Sequence, residues 1–71
     1  MSTARDWFET EADFRQCCGD AQSQARGESA EEFAAEMVQK ANEHGLDTYL
    51  TEKQLNYLCR LADRVPPRRI S

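Results

Sequence analysis

The residues able to do chemistry in this 71-residue chain are few: three cysteines, Cys17, Cys18 and Cys59, one histidine, His44, and thirteen carboxylates. A structural zinc site takes thiolates at Cys-x₂₋₄-Cys spacing, so that both sulfurs turn toward one ion. Cys17 and Cys18 are adjacent, and adjacent side chains on a helix diverge by about 100°. With His44 and Cys59 they make no ligand set, and no metal is expected. His44 has no carboxylate orienter or nucleophile at motif spacing, and no glycine-rich phosphate loop is present. It reads as a helix C-terminal residue, where a protonated imidazole faces the negative end of the dipole. A chain of this length buries only about 60% of its unfolded surface, which leaves little room for a deep pocket and a supporting shell. The expectation is a non-enzymatic protein without cofactors.

The carboxylates carry more pattern. Asp6, Glu9, Asp13 and Asp20 stand at offsets of three, seven and fourteen, one face of a first helix if that helix is continuous. Glu28, Glu32, Glu36 and Glu43, with Glu31 alongside, share a face of a second. Carboxylates one turn apart stand about 5–6 Å from each other, comparable with successive phosphates of a nucleic-acid strand. Two such rows could occupy the nucleic-acid groove of another protein. The plain alternative is a pair of solvated faces opposite the core.

Charge distribution favours a protein partner. Residues 1–45 hold four cations against ten acids, a balance of −6, and residues 46–71 hold five cations against three acids, a balance of +2. An acidic body suits a basic surface on another protein. It disfavours nucleic acid, whose affinity rests on Lys and Arg. The candidate partner-binding residues are therefore Asp6, Glu9, Asp13, Glu32, Glu36 and Glu43. The alternative is a nucleic-acid-binding accessory protein using Arg60, Arg64, Arg68 and Arg69. Self-association, acidic body to basic end, is a third reading. Nothing resembles a signal peptide or a membrane span, and an odd number of thiols without secretory context reads as reduced cysteines in a cytoplasm.

These side chains need elements to hold them, and the composition, 39% hydrophobic and 31% charged, suits a folded domain. Thr51 and Gln54 form a capping box, with Leu50 and Leu55 as its hydrophobic staple. Leu55, Leu58, Cys59, Ala62 and Val65 follow as one apolar stripe, and Pro66-Pro67 is the expected stop. The spacing predicts a helix over 52–65. Ser29 and Glu32 form a second capping box for a helix over 30–44, with Phe33, Ala34, Met37, Val38 and Ala41 as its buried stripe. Gly45 closes it in a left-handed conformation, and Leu46 folds back on the last turn. Thr3 caps a first helix over 4–26, with Asp6 as a weaker box partner and Trp7 and Phe14 as its largest anchors. Gly19 predicts either a break in that helix or a frayed second half. The sum is an all-α three-helix bundle, one domain over 1–66 with a basic tail over 67–71. The two later helices superficially suit a DNA reader. Their connection of about six residues exceeds the usual three or four, and the companion helix is acidic where it should meet phosphate.

Residues 50–62 resemble a short helical module of phage and prophage proteins, often replication or recombination factors. Its pattern runs roughly Leu/Ala-Thr/Ser-Glu-Lys-Gln-x-x-Tyr/Trp-Leu/Ile-x-x-Leu-Ala, and Thr51, Glu52, Lys53, Gln54, Tyr57, Leu58, Leu61 and Ala62 match it. The match covers about a fifth of the chain, and capping and helical periodicity account for much of it. It implies a mobile-element origin and transfers no activity. In general character, a very small, acidic chain without catalytic motifs is similar to the inhibitors that phages direct against bacterial defence systems such as CRISPR. The functional expectation is an interaction module, in its narrower form a phage-type inhibitor of a host nucleic-acid-handling or defence protein.

Overall fold

The structure, a computed structural model, describes residues 2–67. It is all-α: helices α1 (Glu11–Gln24), α2 (Glu28–His44) and α3 (Glu52–Leu61), with short 3₁₀ turns at Ala4–Asp6 and Gly45–Asp47. Both α2 and α3 pack against α1, which is the centre of the bundle. No helix among the described residues is long and apolar enough to cross a membrane.

α3 starts as its sequence dictates. The Gln54 N–H donates to Thr51 Oγ1 at 3.2 Å, and the Thr51 N–H donates to Gln54 Oε1 at 3.0 Å. Leu50 and Leu55 are both buried. The end differs from expectation. The helix stops at Leu61, well before the prolines, because Asp63 takes φ 57°. The Arg64 N–H then reaches the Cys59 carbonyl at 2.8 Å and the Asp63 N–H the Arg60 carbonyl at 3.2 Å. This is a Schellman motif, with aspartate in the left-handed position that its short polar side chain tolerates. From α1, Gln24 Nε2 donates to the Ala62 carbonyl at 3.2 Å, satisfying a group the helix end leaves without a partner. Val65 is consequently off the apolar stripe and 90% exposed.

The expected first helix over 4–26 is two elements. The 3₁₀ turn Ala4–Asp6 carries the Thr3 cap, where the Thr3 N–H donates to Asp6 Oδ2 at 3.1 Å. A new helix begins only after Thr10, whose hydroxyl accepts from the Asp13 N–H at 3.2 Å. The reason is tertiary. The N-terminal stretch lies along the α2–α3 connection through an isolated antiparallel bridge, Thr3 with Tyr49. The Ala4 N–H donates to the Thr48 carbonyl and the Leu50 N–H to the Ser2 carbonyl, each at 2.9 Å. The Trp7 indole donates to the Leu50 carbonyl at 3.4 Å. Gly19, by contrast, does not break α1 and no fraying follows it before Gln24.

α2 begins earlier than its sequence box suggests. Gly27, at φ 94°, is the N-cap, and Ser29 lies inside the first turn, so the Ser29–Glu32 box does not form. The stop falls at the expected glycine, but as the C-cap and with φ 58° and ψ −133°, outside the left-handed helical region and in a conformation that glycine alone adopts comfortably. The buried stripe is Ala30, Ala34, Met37 and Ala41. Phe33 and Val38 sit at its margin, half-buried. Thr48, in the connection, is buried with its hydroxyl 2.9 Å from the Gly45 carbonyl and 3.1 Å from that of Lys40.

Candidate functional site

The second acidic row is real as a surface. Glu28, Glu31, Glu32, Glu36 and Glu43 are all exposed on one unbroken helix. At about 100° per residue they occupy a sector of about 140°, centred opposite the alanine stripe that faces the core. Lys40 Nζ approaches Glu36 Oε1 at 3.1 Å, with both side chains well exposed. Such a pair contributes about 0–1 kcal/mol and gives way readily to a partner's cation. Glu43 accepts from Gln39 Nε2 at 3.4 Å and lies 3.8 Å from His44 Nε2. No ion pair engages Glu32 among the described residues.

The first row does not exist as a helical face. Asp6 is half-buried in the 3₁₀ turn and holds the Thr3 N–H. Glu9 precedes α1, and Asp13 sits in its first turn. Asp20 is bound to Arg64, Oδ2 to Nη2 at 3.1 Å. The expected alignment needs an unbroken helix from Ala4, and the turn at Trp7 removes it. Glu9 and Asp13 do meet elsewhere, at a cleft of about 420 Å³ that they line with Trp7, Phe8, Cys17, Cys59 and Arg64.

The basic end is described as far as Arg64. Arg64 is paired with Asp20 across the α1–α3 contact. Arg60 is exposed beside Asn56 and Asp63 in a shallow depression. Arg68 and Arg69 lie outside the described residues. Next to Arg60, Tyr57 packs its ring on Phe33 of α2 at 4.9 Å between centroids. Tyr49 and Tyr57 are both exposed, Tyr49 at 68%.

Sequence reasoning missed what the cysteines do together. Cys17, Cys18 and Cys59 are all free and buried. Cys17, on α1, and Cys59, on α3, are neighbours at the α1–α3 contact, where both line the cleft. The Cys59 thiol beside it, together with burial, pushes the Cys17 thiol well up. The Cys17 thiol, with the Arg64 cation nearby, brings Cys59 down against its own burial. Burial, reinforced by the charge of Cys59, pushes Cys18 up to about 12. The only signal available beforehand was that Cys59, and one of Cys17 and Cys18, fall on the apolar stripe of a helix. Among the described residues no group of histidine, cysteine and carboxylate side chains is placed to hold a metal ion.

Comparison with known proteins adds no identity: no family model, no curated protein and no solved structure matches the chain.

Proposed function

We propose that this chain is a non-enzymatic interaction module that docks through the acidic face of α2 on a basic protein surface. The observation that carries this reading is the sector of five exposed glutamates on an unbroken helix, countered within α2 by Lys40 alone and, when protonated, His44. Carboxylates spaced by one helical turn present charge at intervals close to those of phosphates, which suits a partner that ordinarily binds nucleic acid. The narrower reading is a phage-type inhibitor of such a protein, acting in the cytoplasm. The resemblance of residues 50–62 to a phage module supports the origin, and three unpaired thiols suit the compartment. Nucleic-acid binding by Arg60, Arg64, Arg68 and Arg69 is the weaker alternative, because the chain as a whole carries a net charge of −4.

The test is the double substitution Glu32→Lys with Glu36→Lys. Both positions are exposed and off the core, so the far-ultraviolet circular dichroism spectrum is expected to stay unchanged. Capture of a basic protein from host lysate by the immobilised chain should fall at least tenfold, and the wild-type interaction should weaken steeply as salt rises. Equal capture by the variant across a salt series would show that the glutamates only solvate the helix. Glu9→Lys with Asp13→Lys, placed at the cleft rather than on α2, is the matched control and should capture the partner as wild type does.

A further inference from the structure

We propose that Cys17 and Cys59 are a peroxide-reactive dithiol, which hydrogen peroxide converts to an intramolecular disulfide joining α1 to α3. The two thiols come from different helices and meet at the α1–α3 contact, where both line one cleft. Both are almost wholly buried, at 0% and 1% exposure, yet both line the same open cleft. Hydrogen peroxide is small and neutral, so it is the oxidant that small openings of this cleft would admit, where a protein thiol or a bulky disulfide is excluded. Cys18 does not line that cleft, although it is adjacent in sequence.

The surroundings assign the two sulfurs different parts. Cys59 has Cys17 as its neighbour and Arg64 on the same cleft, a setting that favours its thiolate. Arg64 is held there twice, by its backbone N–H on the Cys59 carbonyl at 2.8 Å and by its guanidinium on Asp20 at 3.1 Å. The Cys59 sulfur attacks one peroxide oxygen and the O–O bond breaks. The departing hydroxide takes up a proton and leaves as water, and Cys59 becomes a sulfenic acid. The Cys17 sulfur then attacks the Cys59 sulfur, and the S–O bond breaks. The second water carries off the Cys17 proton. Two thiols and one peroxide give one disulfide and two waters, with no further oxidant required. The product ties residue 17 to residue 59 beneath the cleft, and the exposed face of α2 takes no part.

The experiment uses the full chain, treated with a few equivalents of hydrogen peroxide, quenched and alkylated under denaturing, non-reducing conditions. The expected monomer has lost two hydrogens and keeps one alkylatable thiol of its three. Tryptic digestion should join the peptide of residues 16–26 to that of residues 54–60, and fragmentation of the joined pair should place the bond on Cys17. Cys18→Ala should form the same link, and Cys17→Ala should lose it. Three thiols still alkylated, a bond to Cys18, covalent dimers alone, or Cys59 carried to sulfinic acid without a link would each overturn the proposal. Fragmentation of the wild-type product locates the bond directly, so the outcome is decided even if Cys17→Ala fails to fold.

Discussion

The two contacts that α1 makes are built from different materials. Against α2 it meets a stripe of alanines with one methionine, Ala30, Ala34, Met37 and Ala41. Against α3 and the chain after it, the contact is closed by the thiol pair Cys17–Cys59, the Gln24 amide on the Ala62 carbonyl, and the Asp20–Arg64 ion pair. Small side chains let helices approach closely but leave no volume to spare, since interiors pack at crystal-like density. Polar atoms at the edge of a contact add little energy each, and they bring reactive groups to a solvent-lined cleft. One side of α1 is thus a seal and the other a seam. The seal fixes α2 so that its opposite face can present charge. The seam is where the proposed dithiol lies.

Substitutions can break or sharpen that contrast. The largest effect is expected at Leu58, fully buried on α3. Leu58→Ala should cost about 2–5 kcal/mol by leaving a cavity, read as a large fall in the urea midpoint. An unchanged midpoint would mean that the seam, and not the apolar core beneath it, holds α3 in place. Next comes the seal. Ala34 is wholly buried, and Ala34→Leu should cost about 1–3 kcal/mol through overpacking. If Ala34→Leu unfolded at the wild-type midpoint, α2 would not be closely seated on α1. The smallest effect belongs to the edge of the seam. The Asp20 and Arg64 side chains are 42% and 36% exposed, so Asp20→Asn should cost less than about 1 kcal/mol. Its clearer readout is kinetic: with Arg64 released, the peroxide-driven loss of thiols at Cys59 should slow. A cost from Asp20→Asn as large as that from Ala34→Leu would erase the distinction between seal and seam.

How legible the fold is depends on the range of the interactions involved. The start of α3 is written in four residues, Thr51 to Gln54, because a capping box closes on itself. Its end is not where the local pattern puts it. The prolines are a strong local signal, but the left-handed Asp63 and the amide of Gln24, distant in sequence, end the helix first. The Gly45 stop of α2 is legible, since its conformation is one that other residues avoid. The Ser29–Glu32 box misleads, because Gly27 takes the capping position and draws Ser29 into the helix. Gly19 costs the first helix nothing visible: α1 runs through it, supported by the buried Phe14, Cys17, Cys18 and Ala21 on its packed face.

The candidate site divides in the same way. Glutamates repeating along α2 remain one face because a helix converts sequence spacing into angle without outside help. Asp6, Glu9 and Asp13 have the same kind of spacing and lose their common face, because the chain before Thr10 is tied to Thr48 and Leu50 instead. By itself, then, the sequence determined that there would be three helices, where α3 and its box begin, where α2 stops, and which glutamates α2 would show to solvent. These are matters of capping, backbone freedom and 3.6-residue periodicity, all local. Only the tertiary structure decided that residues 4–10 would leave the first helix, that Arg64 would pair with Asp20, and that Cys17 would come beside Cys59. Each of those depends on groups about 40 residues apart meeting, and no local pattern encodes a meeting of that kind.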